Sequence, residues 1–426
     1  MAEGVRGEDF SVSKGRTLDA AAVREQHRRL LLKLLWESGQ MSRAEVARQT
    51  GLSRSTVSAI VSELLERELV SEIGAGDSSG GRRPILLSFN DDASLIAGVD
   101  VGATHVALAL TDLRCSVKVW RHEKHPVRED PQGTIDRVCS MLHDALNDPV
   151  IGNQPLVGIG VGVPSPVIDS EPNRLSSMIL PKWVGYDLQG AIEKDFGVPV
   201  LMENDANLGA LAEHWWGAGR GEPHMVYLKL ATGIGAGIII AGEVFRGRAG
   251  IAGEIAHTVV EPGGPRCVCG QDGCLGVVSG SAMLLQRVRE KILAGRRTSL
   301  HPDDLTTRAL VDAAQAGDAL ATETVERAGH LLGIGIANLL NVLDPGMVVL
   351  GGELTYAGAI LLEPLVQTTH ARALSTSIAP IRIVTTELGE RDIALGAATQ
   401  VLSAALKDES MLIGARPVAR AGGVPA

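Results

Sequence analysis

Three cysteines and one histidine fall within eighteen positions near the middle of this 426-residue chain, and their spacing restricts its fold more than any other feature. The pattern runs His257-x9-Cys267-x-Cys269-x4-Cys274, with glycines between the last two cysteines. Three thiolates and one imidazole make a closed tetrahedral zinc site, which is structural because no position is left for water. The alternative is a set of buried thiols beside a histidine. The tight grouping favours zinc, and we predict a structural Zn²⁺ on these four residues.

The same stretch also predicts a binding surface. When one ring nitrogen of His257 binds the metal, the other is left to meet a polar ligand. Glu254 lies three residues earlier and could reach the same ligand. The segment is therefore expected to form one wall of a ligand site as well as a metal staple.

The composition sets the class of protein. A length of 426 residues predicts two or three domains, and with 3% aromatic residues the core must come from Ala, Val, Leu and Ile. Fifty glycines suit an α/β protein with ligand-binding loops. Cys115 and Cys139 have no evident partner, which is typical of a reducing cytosol. The sequence has neither a long apolar span nor a signal-like start, so we expect a cytoplasmic protein with no membrane partner.

The charge is unevenly divided. Residues 1–90 carry a net charge of +1, whereas the remainder carries −11. Only the front of the chain is not strongly repelled by a polyanion, which permits nucleic-acid binding there. Residues 1–20 are polar and mixed, and we expect a flexible arm.

Residues 21–90 are predicted to form three helices and a hairpin. The first helix spans residues 23–37 with a stripe of leucines. The second starts at Ser42, with Glu45 completing a capping box, and the third is capped by Ser53 and runs to about Arg67. The leucines of the first stripe are Leu30, Leu31, Leu34 and Leu35.

The third helix and the hairpin are the candidate DNA-binding elements. Strand-like runs at 69–73 and 84–89 flank a flexible loop and would form a wing. The alternative is a three-helix interaction module with a solvated arginine pair. We interpret residues 21–90 as a winged helix-turn-helix domain that binds operator DNA. Its candidate DNA contacts are Arg54, Ser55, Thr56 and Ser58 on the helix, and Arg82 and Arg83 on the loop.

The body of the chain contains two similar units of strand, glycine turn and strand. They span residues 95–111 and 225–240, and their repetition predicts a duplicated α/β architecture with a cleft between two lobes. Backbone amides in such turns can hold phosphate oxygens, and Asp100 could hold a metal through water. The alternative is that both are ordinary hairpin turns.

Two further segments suggest ligand contacts. Asp205 follows a strand and stands beside Asn204, where it could accept a proton from a bound hydroxyl, although a helix N-cap explains the pair equally well. Gly351-Gly352 follows a later strand and could lie against an adenine, or be a plain turn. Residues 406–426 end in Ala, Gly, Pro and Arg and are predicted to be a disordered tail.

These residues resemble the ROK family (repressors, open reading frames and kinases). Its Glu-x-Gly-His motif is similar to Glu254–His257, and its zinc pattern is similar to the segment 257–274. The resemblance implies that residues 91–405 form a two-lobed actin-like, sugar-kinase body of duplicated ribonuclease H-like type. It also implies that sugar hydroxyls are bound by Asn204, Asp205, Glu254 and His257. Phosphate or ATP contacts would be Asp100, Gly102, Thr104, Thr232, Gly233, Gly235, Gly351 and Gly352.

Three positions depart from the family pattern. Ala103 and Ala231 replace glycines of the two phosphate turns, and the methyl group of Ala103 could crowd a phosphate. Gly276 stands where a glutamate usually follows the zinc cysteines. Losing that acceptor could cost about 1–3 kcal/mol for a ligand matched to it, which favours a modified or different sugar over an ordinary hexose.

The expected function is a sugar-responsive transcriptional regulator, a repressor of carbohydrate metabolism that senses a sugar or sugar phosphate and forms a homodimer or homotetramer. The enzyme alternative is an ATP-dependent sugar kinase with Asp205 as catalytic base and ATP and Mg²⁺ as cofactors. A third hypothesis is a zinc-stapled scaffold that binds no small ligand.

Overall fold

The computed structural model describes residues 20–75, 83–168, 175–177, 179–374 and 380–414. Arg82 and almost all of the predicted arm therefore lie outside the described residues. The chain divides into two compact units. The first comprises residues 1–90 with 406–409, and the second comprises 91–405 with 410–426.

The first unit is a winged helix-turn-helix domain, as predicted. Its helices are α1 (Ala20–Ser38), α2 (Arg43–Thr50) and α3 (Arg54–Glu66), and its strands are β1 (Met41–Ser42), β2 (Val70–Ala75) and β3 (Ile85–Phe89). The strands form an antiparallel sheet in the order β1-β3-β2. Ser42 and Glu45 complete the predicted capping box at the start of α2, and Gly51 ends that helix with φ 70°. Ser53 caps α3 by accepting a hydrogen bond from the amide of Thr56.

The leucine stripe of α1 differs in part from the prediction. Leu31 and Leu35 are fully buried as expected, but Leu30 is 44% exposed and Leu32 is buried instead. The buried face is therefore centred on Leu31 and Leu35, one helical turn apart, and Leu30 lies beyond its edge.

The prediction of a tail starting at residue 406 was wrong for residues 406–414. Glu409 is 1% exposed, and its carboxylate accepts a hydrogen bond from Arg28 Nε at 2.5 Å. Arg28 also donates to Glu63 on α3, at 3.2 Å. This ion pair fixes residues 406–409 within the first unit, and Ser410–Gly414 is helical.

The second unit contains two five-stranded sheets with the same strand pattern. The strands are β4 (Leu95–Val101), β5 (His105–Thr111), β6 (Val117–Lys124), β7 (Leu156–Val163), β8 (Val200–Asn204), β9 (His224–Leu230), β10 (Ile234–Ile240), β11 (Glu243–Val244), β12 (Met347–Gly351) and β13 (Arg382–Thr385). The first sheet has the order β6-β5-β4-β7-β8 and the second β11-β10-β9-β12-β13. In each, the first two pairs of strands are antiparallel and the last two are parallel. The predicted duplicated fold is confirmed.

Helices cover these sheets and complete three apolar clusters. The helices of this part of the chain are α4 (Pro131–Leu146), α5 (Leu188–Phe196), α6 (Asp205–Trp216), α7 (Leu275–Ser279), α8 (Ser281–Leu293), α9 (Thr307–Gln315), α10 (Ala319–Leu343), α11 (Ala359–Arg372), α12 (Asp392–Lys407) and α13 (Ser410–Gly414). One cluster packs α4 and α5 on the first sheet, a second packs α7–α11 on the second sheet, and a third packs α6 and α12 on the second sheet. Among the described helices, none combines the length and apolar character needed to cross a membrane.

Candidate functional site

A pocket of about 310 Å³ opens in the second unit where its two halves meet. Residues after β7 and β8 line one side, and the turn between β9 and β10 lines another. The segment around Glu254 and His257, together with Gly276, completes the wall. The pocket therefore brings together Asp205, the second glycine turn and the pair Glu254 and His257, which lie far apart in the sequence.

Asn204 and Asp205 are adjacent in sequence but lie in different surroundings: Asn204 caps a helix, and Asp205 lines the pocket. Asn204 is the N-cap of α6, because its side chain accepts hydrogen bonds from the amides of Ala206 and Asn207 at 3.0 and 3.2 Å. Its amide also donates to the Ser165 carbonyl at 3.3 Å. Asp205 is 7% exposed and lines the pocket. Asn204 thus fixes the start of α6, and the Asp205 carboxylate beside it lies at the pocket.

Lys229 is a site residue that the sequence analysis missed. Its ammonium group donates to Asp205 Oδ2 at 2.6 Å, and the two side chains are only 15% and 10% exposed. Burial alone would lower the pKa of Lys229, but the charges of Asp205 and Asp100 outweigh it and raise the pKa. The signal was present in the sequence, since a lysine within the apolar strand β9 requires a buried counter-charge.

The side chain of His105 packs against the first glycine turn, residues 100–104. His105 Nε2 lies 2.9 Å from Asp100 Oδ2. A Cβ atom at Gly102 would lie 2.3 Å from His105 Cε1, so the imidazole ring packs directly against this glycine. Burial would raise the pKa of Asp100 and lower that of His105. Their attraction outweighs burial, so the pKa of Asp100 is lowered and that of His105 is raised.

One oxygen of Asp100 remains unsatisfied. Asp100 is 3% exposed, and its Oδ1 has no hydrogen-bond partner among the described residues. Ala103 and His105 line the pocket, whereas Gly102 is buried and Thr104 is exposed outside the pocket lining. The turn therefore presents to the pocket a methyl group and an imidazole.

The second glycine turn lies at the pocket, whereas the Gly351-Gly352 pair does not line it. Thr232, Gly233 and Gly235 all line the pocket. A Cβ atom at Gly351 would lie 2.1 Å from the Tyr227 hydroxyl oxygen, and Gly352 has φ 97°. Close packing and a left-handed turn therefore explain both glycines without an adenine.

The Tyr227 side chain that packs on Gly351 also contacts a buried carboxyl group, that of Asp392. Tyr227 donates a hydrogen bond to Asp392 at the start of α12. Burial raises the pKa of Asp392 to about 7.

The four predicted metal ligands converge. Ligand atoms of His257, Cys267, Cys269 and Cys274 all lie within 4.8 Å of one another. His257 Nδ1 lies 3.5 Å from Cys267 Sγ, and the thiols of Cys269 and Cys274 are 3.6 Å apart. Thiolates about 2.3 Å from a tetrahedral zinc ion would be about 3.8 Å apart. The cluster can thus hold a zinc ion.

The histidine also faces the pocket. With Nδ1 directed at the thiols, His257 Nε2 lies 3.9 Å from a carboxylate oxygen of Glu254. Both residues line the pocket. A metal on Nδ1 would fix the ring so that Nε2 meets the ligand.

The candidate DNA contacts lie at the start of α3 and on the wing. Arg54, Ser55 and Ser58 are exposed, whereas Thr56 is half-buried and its hydroxyl is hydrogen-bonded to that of Ser53 at 2.8 Å. Arg83 is exposed at the start of the segment leading to β3. Exposed basic and small polar groups at a helix start suit contacts with DNA.

Comparison with known proteins decides the family. Residues 96–404 match the profile of the ROK family, and residues 24–71 match that of a winged helix-turn-helix DNA-binding domain. The chain belongs to the ROK family. The resemblance inferred from the zinc motif and the Glu254–His257 segment is confirmed, and the chain is a DNA-binding transcriptional regulator of this family.

Relatives in the ROK family include named transcriptional regulators. The xylose repressor of Bacillus subtilis strain 168 is 31% identical over 384 residues, which cover 90% of this chain and 97% of that protein. The transcriptional dual regulator NagC of Escherichia coli K12 is 32% identical over 407 residues, covering 95% and 97%. The crystal structure of a ROK regulator homologous to E. coli MLC has a TM-score of 0.75 at 24% identity, covers 92% of this chain and 99% of its own, and supports the fold only.

Proposed function

We propose that this protein is a sugar-responsive repressor of carbohydrate genes, with a sugar or sugar phosphate as effector in the cleft of the second unit. The observation that carries the proposal is the presence, in one chain, of a winged helix-turn-helix domain and a pocket walled by Asp205, Glu254 and His257. The name of the xylose repressor supports a sugar as the class of effector.

The proposed DNA contact places α3 in the major groove. Arg54 would contact a phosphate or a base, while Ser55 and Ser58 would approach the groove edge and Arg83 would approach the DNA backbone. We propose that the protein works in the cytoplasm as a homodimer or homotetramer, because paired half-sites require paired domains. Light scattering of the purified protein tests the assembly.

The proposed metal is Zn²⁺ on His257, Cys267, Cys269 and Cys274. Bound there, it would tie the two ends of the segment together and hold the His257 ring toward the ligand. The chain's own residues then supply the contacts: Asp205 and Glu254 accept from sugar hydroxyls, and His257 Nε2 exchanges a hydrogen bond with one.

Regulation requires that the sugar bind one conformation of the protein better than another. The test uses a DNA fragment selected from the organism's genome by the purified protein. Fluorescence anisotropy then measures affinity for this fragment with and without a panel of sugars. At least one sugar is expected to change the affinity fivefold or more, within the usual range of coupling energies.

Arg54→Ala should weaken DNA binding without altering the sugar titration, whereas Glu254→Gln should weaken the sugar response without altering DNA binding in its absence. The proposal fails if no DNA fragment is selected, or if no sugar changes the affinity.

A further inference from the structure

We infer that the cleft takes a neutral, unphosphorylated sugar and no nucleotide, because His105 and Lys229 occupy the space and balance the charge that phosphoryl groups would use. This inference rests on the proposed function and narrows its effector class. It is carried by the two ion pairs at the inner end of the pocket and by the charges that line it.

The first ion pair engages the carboxylate that a kinase would use as base. A catalytic base must accept a proton from the attacking hydroxyl, so its oxygen has to be available to the substrate. Here Lys229 Nζ lies 2.6 Å from Asp205 Oδ2, in a pair almost shielded from water. Asp205 can still accept a hydrogen bond through its other oxygen. Its geometry therefore suits recognition better than proton transfer.

The second ion pair fills the first glycine turn. The His105 ring is hydrogen-bonded to Asp100 and packs so closely on Gly102 that even a methyl group there would clash. A phosphate approaching this side of the turn meets the imidazole instead of open backbone. A hydrated Mg²⁺ beside Asp100 would meet the same ring. The residues present do not fit ATP with Mg²⁺.

The charges of the pocket are already balanced. Cationic groups on the lining are His105, Arg128 and Lys229, and anionic groups are Asp205 and Glu254, with Asp100 directly behind His105. When His105 is protonated, three positive charges face three negative ones, and the proposed zinc ion with its three thiolates would add a net charge of about −1. A sugar phosphate would add a charge of about −1.5 to −2.

Neither inner cation is unpaired, since Lys229 and His105 each lie against a carboxylate. Arg128 is exposed, so its charge is screened by water. A phosphate beside Lys229 or His105 would therefore break an existing ion pair, whereas one beside Arg128 would meet only an exposed, water-screened cation.

A neutral sugar meets these groups without that cost. Each hydroxyl both donates and accepts a hydrogen bond. The carboxylates of Asp205 and Glu254 offer acceptors, and the ammonium of Lys229 offers donors. The pocket thus alternates acceptors and donors around a ligand that brings no charge.

The first experiment is calorimetric titration of the full-length, zinc-loaded protein with matched ligands. The probes are D-glucose, D-mannose and N-acetyl-D-glucosamine, each beside its 6-phosphate, D-ribose beside its 5-phosphate, D-xylose alone, and MgATP. At least one neutral sugar should bind, tenfold or more tighter than its phosphate where the pair exists, and MgATP should give no saturable heat. A phosphate that binds more tightly than its parent sugar, or saturable MgATP binding, overturns the inference.

These outcomes separate the inference from the proposed function. If a sugar phosphate both binds and changes DNA affinity, the protein is still a sugar-responsive regulator and only the neutral-ligand inference fails. If no probe binds or changes DNA affinity, the proposed function fails and the inference falls with it.

The second experiment removes the carboxylate that pairs with the Lys229 ammonium group. Asp205→Asn removes the partner of Lys229, so the affinity for a 6-phosphate relative to its parent sugar should rise at least about tenfold, from attraction to an unpaired buried charge. The double variant Asp205→Asn/Lys229→Met removes both charges and should return the ratio to that of the parent protein.

Lys182→Met, which breaks an exposed ion pair with Glu129, is the control and should leave the ratio unchanged. Thermal unfolding of each variant confirms that it is folded. A ratio that does not move in Asp205→Asn means that Lys229 has a structural role only, and overturns the inference.

Discussion

Replacing Lys229 with methionine should destabilise the second unit through the charge that it leaves behind. Methionine fills a similar volume, so the lost interaction is chiefly the ion pair with Asp205 at 2.6 Å. Asp205 is 10% exposed at the side chain, and water cannot fully replace the ammonium group. Asp100 lies in the same electrostatic environment, because its charge also acts on Lys229. Two carboxylates would then share a site that has lost its main cation.

The size of the effect follows from burial. Removing one partner of a buried ion pair costs about 3–5 kcal/mol, because the remaining charge is uncompensated. In a unit of this size, about 1 kcal/mol corresponds to about 2 °C in melting temperature. Lys229→Met should therefore lower the melting temperature by about 6–10 °C. Urea unfolding followed by circular dichroism measures the same loss as a lower midpoint.

Two variants make this measurement decisive. Lys182→Met removes an ammonium from an ion pair of 57% and 68% exposed side chains, and should change the free energy of unfolding by about 1 kcal/mol or less. Adding Asp205→Asn to Lys229→Met removes the stranded charge and should recover most of the lost stability. The reasoning is refuted if Lys229→Met unfolds within about 1 kcal/mol of the parent protein, or if the double variant is no more stable than Lys229→Met alone.

Three further predictions concern the metal, the DNA and pH. Purified protein should contain about one zinc per chain by plasma mass spectrometry, and Cys274→Ser, at a fully buried ligand, should lose it and melt at lower temperature; full zinc occupancy in that variant would contradict the site. Arg54→Ala should weaken operator binding and reduce the slope of log affinity against log salt by about one, and an unchanged slope would exclude a phosphate contact. The raised pKa of His105 stabilises the fold below about pH 6.5, and this contribution is lost as pH rises through the folded pKa, while the lowered pKa of Asp100 preserves its charge there. The advantage of the parent protein over His105→Gln in urea unfolding should therefore shrink between pH 6 and pH 9; a constant difference would contradict the pair. The other titratable groups near His105 are His122, Lys229 and Asp205.

The sequence predicted those features that depend on local spacing. The capping box at Ser42 and the cap at Ser53 depend on short-range contacts, and both formed where expected. The His-x9-Cys-x-Cys-x4-Cys pattern likewise brought its four ligand atoms together. Two strand and glycine-turn repeats were enough to predict the duplicated sheets, because a repeated local pattern folds into a repeated topology.

What the sequence did not reveal depends on contacts between distant segments. Glu409 and Arg28 are separated by 381 residues, and neither has a local pattern that announces the other. Gly351 was interpreted as a ligand position, yet its small size accommodates Tyr227 on the neighbouring strand. Lys229 could have been predicted from the sequence, because a charged residue inside an apolar strand requires a counter-charge nearby.

The Lys229–Asp205 pair is better explained by recognition than by stability. Two apolar residues of similar volume in place of a buried ion pair are often as stable or more stable, by about 1–4 kcal/mol. Stability alone therefore does not account for this pair, although removing one partner alone is costly. The proposed sugar ligand would use the pair together with Glu254 and His257, because a hydroxyl buried without a hydrogen-bond partner costs free energy. Since each buried charge has its counter-charge before the ligand arrives, the pocket can offer strong donors and acceptors and still favour a ligand with no charge of its own.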